Sequence, residues 1–175
     1  MENTLPIIYL FVLVVLLAAA GWAVIRQIIK TRKVESALSR LEKKLKKDKG
    51  TVQEYYELAS IYSDKKLFAQ AIVVFQKALK GLDAEEENLA PVHNALGFAY
   101  FAQEQYDIAI REYKEALKAN PEYVTALNNL GHVYERKKLT VQALESYEQA
   151  LKYEPNNDIA KRRAESLRKR LVTSP

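Results

Sequence analysis

The 175-residue chain has no cysteine, which excludes disulfide frameworks, thiolate metal sites and cysteine nucleophiles. It has two histidines, His93 and His132, too few for a histidine-based metal centre. Glycine and proline number five each, which argues against a turn-rich all-β fold and against a disordered chain. Charge is missing from Asn3 to Ile25. There is no phosphate-binding glycine loop, His-x-x-x-His pair, nucleophile elbow or EF-hand loop. No catalytic residue, cofactor, metal or small-molecule substrate is therefore expected. The length allows one soluble domain and a short appendage.

The net charge of +5 is unevenly placed. Residues 26–49 hold ten Lys/Arg against three Asp/Glu, and residues 158–175 hold six against two, while the middle of the chain is acidic. Two basic flanks around an acidic domain do not favour nucleic acid as a partner.

Leu5 to Ile25 spans about 31 Å as a helix, the thickness of a bilayer core. Thirteen of these 21 residues are Leu, Ile, Val or Phe, and Tyr9 and Trp22 lie near the two ends, where amphipathic rings sit at the interface. Pro6 falls in the first turn, where its missing N–H is harmless. A cleaved secretory signal ending at Ala18-Ala19-Ala20 fits less well, because no positive segment precedes the apolar run. A buried core helix also fits poorly, for want of a polar face. Arg26, Lys30, Arg32 and Lys33 follow at once, so the positive-inside rule keeps this end cytoplasmic or stromal. A basic helix is expected over 26–50, with Val34, Leu38, Leu41 and Leu45 on one face and Gly50 as its stop. That stripe suits packing on the soluble domain, a partner helix or a lipid surface, and a plain charged spacer is the simplest alternative.

The rest of the chain repeats. Leu96-Gly97, Tyr100, Ala109, Tyr113, Ala116-Leu117 and Pro121 recur 34 residues later as Leu130-Gly131, Tyr134, Ala143, Tyr147, Ala150-Leu151 and Pro155. An earlier copy, Leu58-Ala59, Tyr62, Ala71, Phe75 and Ala78-Leu79, precedes the second by 38, which places an insertion around Ala84–Leu89. Asp83 stands where the first proline would fall, and Glu85–Glu87 should lengthen that connection. This is the tetratricopeptide (TPR) spacing. Each copy should form two antiparallel helices. Ala59, Gly97 and Gly131, facing Ala71, Ala109 and Ala143, let the axes approach. Tyr62, Tyr100, Tyr134, Phe75, Tyr113 and Tyr147 should fill the space between hairpins, and Pro121 and Pro155 end the second helices. Helices are predicted near 51–64, 67–81, 88–102, 105–118, 122–136 and 139–152. A seventh over 157–171, capped by Asn157, carries Ala160, Ala164, Leu167 and Leu171 on one stripe and should seal the stack.

The expected fold is all-α: a transmembrane helix, a three-repeat TPR solenoid and a C-terminal capping helix. The divisions are 1–25 (tail and anchor), 26–50 (juxtamembrane helix), 51–157 (repeats at about 52–85, 90–123 and 124–157) and 158–175 (cap and tail).

The first helices of such repeats line a concave face that binds peptides. The positions expected there are Gln53, Tyr56, Ser60, Asn94, Phe98, Phe101, Asn128, His132, Glu135 and Arg136. Asn94 and Asn128 share one repeat position, and an amide can both donate to and accept from a peptide backbone. Tyr56, Phe98 and Phe101 supply apolar anchors, unless they pack between repeats instead. His93 is expected as a packing residue and not a ligand. TPR domains that grip the acidic C-terminus of cytosolic chaperones place lysine where Tyr56 stands, so that clamp is disfavoured. Arg26, Lys30, Arg32 and Lys33, with Arg162, Arg163, Arg168 and Arg170, form two basic patches open to lipid or an acidic partner.

The chain resembles the membrane-anchored TPR family of cyanobacteria and plastids that assists photosystem I assembly. The resemblance rests on the apolar N-terminus, R-Q-I-I-K-T-R-K-V-E-S (Arg26–Ser36), E-Y-Y-E-L (Glu54–Leu58), A-Y-F-A-Q-E-Q-Y-D (Ala99–Asp107), N-N-L-G-H-V-Y-E (Asn128–Glu135) and A-K-R-R-A-E-S-L-R-K-R (Ala160–Arg170). It implies a non-catalytic, single-pass thylakoid protein. Its repeats would lie on the cytoplasmic or stromal side and bind photosystem I subunits or other assembly factors, with lipid contacted through the N-terminal helix. A bacterial inner-membrane protein is the alternative location. A membrane-docked receptor for chaperones or precursor proteins is the alternative function.

Overall fold

The computed structural model describes residues 4–81 and 88–173. Asp83 and Glu85–Glu87 lie outside them. The described residues form eight α-helices and no strand. They fall into two units, 1–44 and 45–175.

The first unit is most of α1, Thr4–Lys47. The helix runs unbroken across the change from apolar to basic sequence at Arg26, because no proline or glycine interrupts residues 26–47. It is long and apolar enough to cross a membrane. The residues from Ile8 to Ile25 are exposed, with Tyr9 and Trp22 about 70% and 71% so.

The second unit is a stack of helical hairpins. Its elements are α2 (Val52–Asp64), α3 (Phe68–Leu79), α4 (Ala90–Ala102), α5 (Tyr106–Ala119), α6 (Val124–Arg136), α7 (Thr140–Tyr153) and α8 (Asp158–Thr173). All seven helices predicted here are present, starting one or two residues later than expected. Thr51, Leu67, Gln105 and Leu139, predicted as first residues, are the N-caps. Thr51 builds a full capping box with Glu54: its Oγ1 accepts from Glu54 N at 3.2 Å, and Glu54 Oε2 accepts from Thr51 N at 3.2 Å.

Helices pair as α2–α3, α4–α5 and α6–α7, neighbouring pairs meet through α3–α4 and α5–α6, and α8 packs on α7. The small residues do more than bring axes together. A methyl group on Gly97 would stand 2.8 Å from Tyr113 Cε1, and one on Gly131 would stand 2.8 Å from Tyr147 Cζ. The ring of each second helix thus occupies the place of the missing side chain on its own first helix. Tyr113 and Tyr147 therefore fill the interior of their hairpins, where the sequence reading put them between hairpins. Both are 1% exposed, and Phe75 is fully buried. On α8, Ala160, Ala164 and Leu167 are buried, but Leu171, predicted on that stripe, remains 40% exposed.

The three hairpin turns are alike. Lys66, Glu104 and Lys138 have φ of 61°, 60° and 61°. The following N–H of Leu67, Gln105 and Leu139 donates back to the carbonyl of Tyr62, Tyr100 and Tyr134 at 2.8, 3.0 and 2.9 Å. This is the Schellman ending, in which the left-handed residue is normally glycine.

Candidate functional site

The first helices adjoin one another, α2 with α4 and α4 with α6, so they form one continuous face. Every predicted groove residue lies on these helices. Each pair of packed helices fixes the register of the face, because the buried positions leave the same turns of α2, α4 and α6 pointing away from α3, α5 and α7.

Gln53 is exposed, and Ser60 is half-buried. Tyr56 lies with its ring 5.8 Å from Phe75, so part of its surface serves hairpin packing. Asn94 Oδ1 accepts from Asn129 Nδ2 at 2.9 Å. Asn128 Nδ2 donates to Asn157 Oδ1 at 3.3 Å, while its own Oδ1 is buried with no hydrogen-bond partner. The Asn94 amide thus ties the second repeat to the third and the Asn128 amide ties the third to the start of α8, and each keeps only part of its capacity for a ligand. Asn157 also caps α8, accepting from Ala160 N at 3.0 Å, as its position predicts.

Phe98 is 45% exposed and meets Phe68 edge-on at 6.2 Å. Phe101 is half-buried, 5.6 Å from Tyr106 and 4.9 Å from His132. Arg136 sits over the Tyr106 ring at 5.9 Å and donates to its hydroxyl at 3.1 Å. Glu135 serves the fold: it accepts from Tyr147 O–H at 2.7 Å and lies 3.6 Å from Arg163. Burial lowers the pKa of His132, and the charges of Arg163 and Arg136 lower it further against the opposing pull of Glu135.

Phe68 and Tyr106 were missed by the sequence reading. They share one repeat position, the first residue of each second helix, so aligning the copies column by column would have exposed them.

His93 packs as expected, but its partner is charged. Its Nδ1 lies 2.9 Å from Glu112 Oε2, and Arg111 approaches the other oxygen at 3.1 Å. Glu112 is 7% exposed. Burial alone would raise its pKa; the hydrogen bonds and charges of His93 and Arg111 outweigh burial and hold it below the usual value.

The basic flanks are exposed. Arg26, Lys30, Arg32 and Lys33 lie on α1. On α8, Arg168 holds Glu148 at 2.7 Å, Arg162 reaches the carbonyl of Asp158 at 3.2 Å, Arg163 meets Glu135, and Arg170 is exposed. Among the described residues no cluster of His, Cys, Asp and Glu could hold a metal ion.

Tetratricopeptide-repeat family models match residues 55–80 and 124–157, and a further TPR model matches 97–138. The protein ycf37 of Cyanophora paradoxa is 37% identical over 163 residues, covering 93% of this chain and 95% of that protein. The chloroplastic tetratricopeptide repeat domain-containing protein PYG7 of Arabidopsis thaliana is 33% identical over 170 residues, covering 97% of this chain but 56% of that longer protein. The crystal structure of MamA superposes with a TM-score of 0.73 at 24% identity over 82% of this chain and 81% of that one, a likeness of fold alone. On the strength of its near-full-length match to ycf37, the chain belongs to the ycf37 family of tetratricopeptide-repeat proteins.

Proposed function

We propose that the protein is a non-catalytic, membrane-anchored scaffold that assists assembly or stability of photosystem I by binding its subunits or other assembly factors. The observation that carries this reading is the co-occurrence on one chain of a membrane-length apolar helix and a TPR stack in a family with a chloroplastic relative. The photosystem I assignment comes from the family resemblance of the anchor, the basic stretch and the basic tail. The physical logic is local concentration. A single-pass anchor confines the stack to one membrane surface, so weak contacts with a partly built membrane complex become effectively intramolecular. The basic run after Ile25 directs the repeats to the cytoplasmic or stromal side of a thylakoid membrane.

Deletion of the gene tests the reading. The amplitude of photosystem I photo-oxidation relative to photosystem II should fall, most under light stress. An unchanged ratio under every light regime would overturn it. Alkaline washing of membranes should leave the protein in the pellet, and protease added from the cytoplasmic or stromal side should digest the repeats. Release by the wash would remove the anchor from the account.

A further inference from the structure

The exposed Phe98 is part of a strip. Phe68 leans against it from α3 of the first repeat. One turn along α4, Phe101 meets Tyr106 of α5 and His132 of α6. Tyr106 in turn carries Arg136. None of these side chains is a ring that fills a glycine gap, and apart from the Phe101–Tyr106 contact inside one hairpin they meet across repeats. A run of aromatic surface across three repeats, with Phe98 nearly half exposed, is the kind of patch that marks an interaction site.

The strip ends among cations. Arg136 donates to the Tyr106 hydroxyl, with Glu104 in electrostatic reach. Glu135 is already engaged by the Tyr147 hydroxyl and by Arg163. Lys137 is paired with Asp107. His132 therefore lies in surroundings where two arginines outweigh one carboxylate. An incoming carboxylate would find a guanidinium whose planar fork can hold it in two parallel bonds.

We infer that this strip receives an extended peptide segment bearing an aromatic side chain beside a carboxylate, the ring against Phe98 and Phe101 and the carboxylate on Arg136. The inference rests on the scaffold reading above and names the chemistry of its partner: an acidic, aromatic stretch of protein.

The test uses the full chain in detergent micelles and three fluorescent octapeptides, with cores Phe-Glu-Glu-Phe, Phe-Gln-Gln-Phe and Phe-Lys-Lys-Phe, read by anisotropy. The acidic peptide should bind tightest. Replacing its glutamates by glutamine should weaken binding about fivefold, as for a partly exposed charge pair. Phe98→Ala should weaken it about tenfold or more, as for an interface anchor. Arg136→Gln should abolish the preference for glutamate over glutamine, and Arg136→Glu should reverse the ranking in favour of the lysine peptide. A reversal is a gain that misfolding cannot imitate. Equal binding of all three peptides to the wild type, or an acidic preference that survives Arg136→Glu, would overturn the inference. A strain carrying Phe98→Ala with Arg136→Glu separates this failure from that of the scaffold reading. Normal photosystem I in that strain, beside a deletion strain that loses it, sinks the strip alone. Normal photosystem I in the deletion strain itself sinks the scaffold reading, while the peptide ranking still stands or falls on its own.

Discussion

The ring-over-glycine contact makes a sharp prediction at Gly131. An alanine there would place its Cβ at 2.8, 2.9 and 3.0 Å from Cζ, Cε1 and Cε2 of Tyr147. The ring is 1% exposed, and its hydroxyl is tied to Glu135 at 2.7 Å, so it cannot tilt away without stretching that bond. Overpacking of this kind costs about 2 kcal/mol. Loss of the hydrogen bond adds about 1 kcal/mol. Against these stands the gain of about 1 kcal/mol from replacing glycine by alanine in a helix. The net is a loss of about 2 kcal/mol, or a Tm lower by about 8 °C for a domain of this size. The measurement is thermal unfolding of the full chain in mild detergent, followed by far-ultraviolet circular dichroism. The first repeat supplies the control, because its equivalent positions carry Ala59 and Phe75, both buried, an alanine with a ring that has no hydroxyl. Adding Tyr147→Phe to Gly131→Ala reproduces that pair and should recover part of the loss. If Gly131→Ala matches or exceeds the wild type, propensity outweighs the clash and the packing argument is wrong.

Glycine at Lys66, Glu104 or Lys138 should stabilise the stack by about 0.5–1 kcal/mol per site, since each holds φ near 60° that an L side chain resists; an unchanged or lower Tm would refute the strain. Thr51→Ala removes the capping box of α2 and should cost about 1 kcal/mol, with Thr51→Ser close to wild type in the same melts. Glu112 has a folded pKa below its ordinary 4.5, so its contribution is fully present above about pH 4.5 and disappears as acid takes the pH through the folded value. Glu112→Gln should accordingly lower stability by about 1–2 kcal/mol at pH 7, and the gap to wild type should close as the pH falls below 4.5; a gap that stays constant would reject the linkage.

The fold was legible because the repeat writes packing into sequence. A gap-filling ring needs a small residue opposite, a stack needs that pair once per hairpin, and the pair therefore recurs at 34 residues in Gly97 and Gly131 with Tyr113 and Tyr147. The turns obey the same constraint, yet their left-handed residues stayed hidden. They are lysine and glutamate where glycine would have announced them. The candidate site was only partly legible, because its bonds cross from one repeat column to another. Asn94 shares its repeat position with Asn128, yet its hydrogen-bond partner is Asn129, a residue of another column. Periodicity reports equivalence, and contact between repeats joins residues that are not equivalent.

That difference separates the columns that build the stack from those that give it a partner. At the small-residue position the three copies read Ala59, Gly97 and Gly131, and at the ring position Phe75, Tyr113 and Tyr147, with volume and shape held nearly constant. On the inner face one column reads Ser60, Phe98 and His132, and another Ser63, Phe101 and Glu135. The pair His93 and Glu112 has Tyr55 and Val74 before it and Leu127 and Ser146 after it. Where the two helices of a hairpin must fit, all three copies face the same physical demand, and their residues agree. Where a side chain faces outward, nothing in the stack requires the copies to agree. The middle repeat departs furthest, with two phenylalanines on the inner face and a histidine–glutamate hydrogen bond between its two helices. A binding strip on a repeat protein is therefore to be sought where the repeat fails, and in this chain it fails most on α4.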